Sequence, residues 1–119
     1  MAASPEEFKR RTKKFALQII RLVESLPRNC TADVLGRQLL RAGTSVGANY
    51  RAACRARSAS EFSAKMGIVD EEADECIYWL ELLIEADLAT GDQLRDLLKE
   101  ANEITAMVVA SIRTVRQPR

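Results

Sequence analysis

Apolar residues recur every three to four positions through four long segments, and the three prolines stand at positions 5, 27 and 118, outside any of those runs. A helical period that long, uninterrupted by proline, excludes a sheet and leaves amphipathic helices. With 119 residues, 47% apolar and 29% charged, the chain can close one core and stay soluble. The expected fold is therefore all-α: one up-down-up-down four-helix bundle over residues 1–119, with no internal repeat and no strand-period segment to compete.

Start and stop signals set the boundaries. The spacing predicts a first helix over 5–26, with Ser4 as N-cap, Pro5 at the first position and Glu6 and Glu7 in the first turn. Phe8, Phe15, Ile19, Leu22 and Leu26 share its core face, and Pro27 ends it. A second helix, capped by Thr31, is expected over 32–57 with Leu35, Leu39, Ala42, Val46, Tyr50 and Ala53 buried. Beside that stripe runs a small face of Gly36, Gly43, Gly47 and Cys54, interrupted by Leu40. Each helical glycine costs about 1 kcal/mol relative to alanine, which a close helix approach or a bend would offset; a local break around Gly43-Thr44-Ser45 is the alternative.

Ser58-Ala59-Ser60-Glu61 reads as a capping box opening a third helix over 59–88. Its expected core face is Phe62, Met66, Val69, Ala73, Ile77, Leu80 and Ile84. Thr90-Gly91-Asp92-Gln93 repeats the box ahead of a fourth helix over 91–115, with Leu94, Leu97, Leu98, Ala101, Ile104, Val108, Ile112 and Val115 on its inner face. Arg113, Arg116 and Arg119 suit the negative end of that helix dipole, and the tail from Gln117 is expected to fray.

The chemistry is narrowed by what is missing. The sequence has no histidine, and Cys30, Cys54 and Cys76 are too widely spaced for a zinc site or a disulfide framework. Asp70, Glu71, Glu72, Asp74 and Glu75 lack the histidines that di-iron bundles use, so a solvated or ion-paired face is the simpler reading. Covalent catalysis by Ser45, Thr44 or Cys54 would, without a histidine, need a lysine such as Lys65 as its base. No catalytic residue, metal or cofactor is assigned; a metal-dependent enzyme is the third reading. No long apolar run or signal peptide appears, which places the protein in a reducing cytoplasm.

Charge is divided unevenly. The formal net charge is +1, yet residues 1–57 hold 12 Lys/Arg against 4 Asp/Glu, and residues 58–119 hold 6 against 13. Arg10, Lys13, Lys14 and Arg21 cluster on helix one, and Arg37, Arg41, Arg51 and Arg55 fall within an arc of about 80° on helix two. Two arrangements are open. The arginines can meet nucleic-acid phosphates, or they can pair with the Asp70, Asp74, Glu81 and Glu85 stripe of helix three. Leu17 and Ile20 on helix one, with Ile68, Trp79 and Leu82 on helix three, lie off the core faces and point to homo-oligomerisation. A protein-interaction scaffold with no nucleic-acid binding is the alternative function.

The run QLLRAGTSVGANYRAACRARSASEF, followed by a long apolar and acidic helix, resembles the four-helix-bundle proteins encoded in intervening sequences of bacterial 23S ribosomal RNA genes. That family includes the accessory variability protein of diversity-generating retroelements. The resemblance rests on Gln38-Leu39, Arg41-Ala42, Ser45-Val46, Ala48-Asn49, Arg57-Ser58, Glu61-Phe62, Glu75 and Leu80. Many members carry Glu-Gly where this chain has Ala52-Ala53, so that glutamate's role does not transfer. The resemblance implies a ring-like homopentamer, with nucleic acid or a nucleic-acid-processing protein such as a reverse transcriptase as partner. It also draws attention to Asn49 and Arg57 as structural polar residues, expected to lock the corner with Ser58 and Glu61 or Glu72.

Overall fold

The computed structural model describes residues 4–116, in four helices: α1 Pro5–Glu24, α2 Cys30–Ala53, α3 Ala59–Glu85 and α4 Asp92–Arg116. Gln117 and Arg119, and with them the expected frayed tail, lie outside the described residues. Sequential helices pack side by side, α2 most extensively on α3, while α1 meets α4 least and the diagonal pairs make no close backbone approach. The result is an all-α four-helix bundle, 51 × 24 × 21 Å, two helices wide in each short direction.

Local chemistry explains where each helix starts. Ser4 Oγ accepts from the backbone N–H of Glu7 at 3.2 Å, with Pro5 at the first position, as expected. α2 begins two residues earlier than its predicted start because Asn29, rather than Thr31, is the cap: its Oδ1 accepts from Ala32 N–H at 2.8 Å. Ser58 Oγ accepts from Glu61 N–H at 3.0 Å, and Glu61 Oε2 accepts in return from the Arg57 N–H at 3.1 Å. α4 starts at Asp92, so Thr90 stands one residue too early to be its cap, and Gly91 makes the turn at φ 106°.

The ends also differ from expectation. α2 stops at Ala53, four residues short, where Arg55 N–H bonds Ala52 O and Ala56 N–H bonds Ala53 O, tightening the last turn. The corner is thus a short connection of turns and bends over residues 54–58, with Arg57 in it. α3 ends at Glu85, and Asp87 takes the left-handed conformation at φ 57°, which lets Leu88 N–H reach back to Leu83 O at 3.0 Å.

Phe8, Phe15, Ile19, Leu22, Leu39, Val46, Met66, Val69, Leu80, Leu97 and Ile104 form the centre of the core. The α3 stripe is rotated from the expected one: Cys76 and Leu83 are fully buried, while Ile77 and Ile84 only flank the core. The dominant α2 contact turns that face toward α2. Thr12 was absent from the expected core face yet is buried; its hydroxyl donates to Phe8 O at 3.0 Å and also reaches Lys9 O. Phe8 and Tyr50 meet edge to face, with centroids 4.5 Å apart, and close the α1–α2 end of the core.

The glycine face of α2 lies against α1. A Cβ at Gly43 would stand 3.0 Å from Ile19 Cγ1 and Cγ2; one at Gly47 would be 3.2 Å from Thr12 Oγ1; one at Gly36 would be 3.2 Å from Leu26 Cδ1. Close approach, not a break, is the use of these glycines, since α2 is helical through all three. At Gly67 of α3 a Cβ meets nothing within 4 Å. Gly67→Ala is therefore expected to raise stability by about 0.5–1 kcal/mol in urea unfolding. Gly43→Ala is expected to lower it by about 1 kcal/mol, because displacing the fully buried Ile19 outweighs the helix-propensity gain. Equal shifts in the two variants would contradict the close-approach account.

Candidate nucleic-acid interface

α1 and α2 run antiparallel, and where their outer flanks diverge they leave a groove of about 480 Å³. Lys9, Arg10 and Lys13 line one wall and Arg51 the other, with Glu6 among them and Thr12, Ala16, Thr44, Gly47 and Ala48 as the floor. Helical rotation brings Lys9, Lys13 and Ala16 to the α2 side of α1, and Thr44 and Arg51 to the α1 side of α2. The close contact at Gly47 draws the two walls together. Arg10, Lys13 and Arg51 are exposed and form no salt bridge among the described residues, while Lys9 Nζ holds Glu6 Oε1 at 3.3 Å. Four cations against one carboxylate make the groove strongly electropositive.

The remaining basic candidates fall elsewhere. Lys14 and Arg21 are exposed on α1 outside the groove. Arg37 lines a second, smaller depression with Arg28, Glu24 and Asp33, where cations and carboxylates balance. Arg55 joins Arg57 and Lys65 beside Glu61 at the α2–α3 end. Arg41 is ion-paired across the α2–α3 seam, to Glu72 Oε2 at 3.0 Å and to Glu75 Oε1. These two carboxylates raise its pKa further. Pairing between the basic and acidic helices is thus real at one arginine only among the described residues, and its partners are not the Asp70, Asp74, Glu81 and Glu85 expected of it.

The structural polar residues divide as well. Ser58 and Glu61 fix the start of α3 as expected. Asn49 is half-buried, but its amide donates to Ser45 O at 2.8 Å within its own helix, so it does not tie the corner. The Arg57 side chain is exposed rather than buried, because α2 has already ended; Glu61 engages only its backbone.

Among the off-face apolar residues, Leu17 is 45% and Ile68 43% exposed, and Ile20, Trp79 and Leu82 are half-buried. Trp79 packs against the core while its indole N–H is buried without a hydrogen-bond partner. Tyr78, on the same helix, is 55% exposed and meets Trp79 edge to face.

Arg11, like Lys9, is a charged group that the sequence reading did not single out. Arg11, on the α4 side of α1, grips Glu100 with Nε at 2.6 Å and a terminal amine at 2.8 Å, and also reaches Glu103 and Met107 Sδ. The hydrogen bond to Glu100 leads in raising its pKa, against the lowering effect of partial burial. Its period-3.6 position beside Phe8 and Phe15 marked it as flanking the core, but its partners lie 89 and 92 residues away.

The family model for the 23S rRNA-intervening sequence protein matches residues 6–110. The chain belongs to that family. A crystal structure of a protein of unknown function, from the S23 ribosomal protein family of Bacteroides thetaiotaomicron, is similar to this chain. The two are 35% identical with a TM-score of 0.84, over 92% of this chain and 97% of that one. No curated protein matches the sequence. Among the described residues no helix is long and apolar enough to cross a membrane, and no three His, Cys, Asp or Glu side chains converge as metal ligands.

The thiols of this family member report on its packing. Burial, with Glu72 and Glu75 adding to it, pushes the Cys76 thiol from 9.0 up to about 12, whereas Cys30 is exposed at the start of α2. Cys30 is expected to react with a thiol reagent in the native protein, and Cys76 only after unfolding. Since folding favours the protonated thiol, its contribution is intact below 9 and lost as pH rises toward 12. Native labelling of Cys76 as fast as Cys30 at neutral pH would contradict its place in the core.

Proposed function

We propose that this protein is a non-catalytic accessory protein that contacts nucleic acid through the α1–α2 groove. The observation that carries the reading is the convergence of Arg10, Lys13 and Arg51, which come from two helices and have no carboxylate partner among the described residues. Three such cations can displace counterions from about three phosphates, giving a log–log salt slope of about −2 to −3. Family membership supports the reading only to the extent that the family is named for an RNA gene insert. Anisotropy titrations at about 50 mM salt should give dissociation constants tighter than about 100 μM. Replacing Arg10, Lys13 and Arg51 with alanine should flatten the slope by about 2 to 3; an unchanged slope, or no binding by the parent, refutes the assignment.

A second reading is assembly. Leu17 lies on α1 and Ile68 and Tyr78 on α3, helices that stand diagonally across the bundle. Two different patches on opposite sides join copies head to tail, and such contacts close into rings when the rotation permits. The basic α1 flank and acidic α3 flank favour the same polarity, which supports a homo-oligomer, with a pentameric ring as the form the resemblance implies. Light scattering at micromolar concentration should show a stable oligomer, and Ile68→Glu should reduce it to monomer. A parent that is already monomeric removes this reading and leaves the nucleic-acid one standing.

A further inference from the structure

Two charged pairs stand unused on the outside of the bundle. Lys14 and Arg21 lie on α1 outside the basic groove, and Asp74 and Glu81 lie on α3. All four are exposed, and none forms a salt bridge among the described residues. Each pair brackets an exposed apolar side chain, Leu17 on α1 and Tyr78 on α3. By helical rotation Leu17 stands opposite the buried Phe8 and Phe15, and Tyr78 opposite the buried Val69 and Leu80. These two side chains therefore mark the outermost lines of the two helices.

The spacing of the two lines matches. Lys14 and Arg21 stand three residues before and four after Leu17, and Asp74 and Glu81 four before and three after Tyr78. With Leu17 laid on Tyr78 and the helices parallel, Lys14 comes within about 1.5 Å of the level of Asp74, and Arg21 equally near that of Glu81. An antiparallel overlay matches the levels too, so lateral position decides the direction. On both helices the charges lean about 40–60° round from the apolar residue, away from α2. The α2 side is marked on α1 by Thr12, which abuts Gly47, and on α3 by Glu72, which holds Arg41. Two copies set side by side in the same direction bring both leaning edges to one side of the contact, cation beside carboxylate. Reversing one copy puts them on opposite sides.

We infer that the outer face of α1 in one copy packs on the outer face of α3 in the next, helices parallel, with Leu17 on Tyr78, Lys14 beside Asp74 and Arg21 beside Glu81. The inference rests on the assembly reading and goes beyond it by fixing which faces meet, in which direction and in what register. α1 and α3 run the same way within each bundle, so a parallel contact needs only a rotation about an axis along the bundle, which is the operation of a closed ring. Charges that bracket an apolar centre set partner choice and register, while the centre supplies the buried apolar area.

The test is charge reversal in the full chain, read by light scattering across micromolar concentrations. Lys14→Glu with Arg21→Glu, and separately Asp74→Lys with Glu81→Lys, should each weaken assembly about tenfold or more. All four substitutions together should restore it to within about threefold of the parent, because each lost pair is rebuilt with its signs exchanged. Arg28→Glu with Arg55→Glu alters the net charge as much as the first pair does, away from both faces, and should leave assembly unchanged. Circular dichroism should match the parent throughout, since all these side chains are exposed; if a reversed pair unfolds, Lys14→Gln with Arg21→Gln reads the same contact at about threefold. Reversed pairs that assemble like the parent, a fourfold variant that stays apart, or an Arg28 and Arg55 variant that also dissociates each overturn the inference. An oligomeric parent that Ile68→Glu still splits then keeps the assembly reading standing. A monomeric parent overturns both.

Discussion

The bundle depends on how closely α1 and α2 approach. Gly36, Gly43 and Gly47 remove side chains along one edge of α2, so that Val23, Ile19 and Thr12 of α1 sit where a Cβ would otherwise be. Glycine inside a helix is unfavourable by itself, and dispersion contacts along the seam offset that cost. The same approach fixes the rotation of α2, which commits its opposite edge to α3 and leaves Arg51 at the rim of the groove. Core and surface therefore follow from one seam.

Most of the architecture was legible in the sequence because helical periodicity is a local signal. Four amphipathic runs, the Ser4 and Ser58 caps and the glycine face of α2 all appear in the structure. Rotation was harder to read. Ile77 and Ile84 stand about 100° round the α3 wheel from Cys76 and Leu83, both edges are apolar, and only the packing against the neighbouring helices decides which pair is central. Helix ends were misread where side-chain caps competed: Asn29 stands two residues ahead of Thr31, and α2 closes at Ala53 although Arg57 continues the pattern.

The candidate site was legible only as an inventory. Eight basic residues on two helices had the right charge, but their grouping depends on which flank each helix turns outward. Arg10, Lys13 and Arg51 converge; Arg41 is taken by Glu72 and Glu75; Arg37 is balanced by acids. Lys9 also lines the groove, paired with Glu6 one turn away on the same helix. Pairings between distant segments are invisible to periodicity, and these pairings decide which positive charges remain available.

Arg11 belongs to the same class of distant pairings, and it gives the bundle a direction in which to open. Three of the four sides are closed by extensive packing, and the fourth, between α1 and α4, is the least packed and is spanned by one guanidinium on Glu100 and Glu103. Ionic strength weakens a partly exposed clasp of this kind far more than it weakens apolar seams. The molecule accordingly has a hinge side and a latch side. An opening on the latch side would part α4 from α1 and leave the walls of the basic groove, on the hinge side, in register.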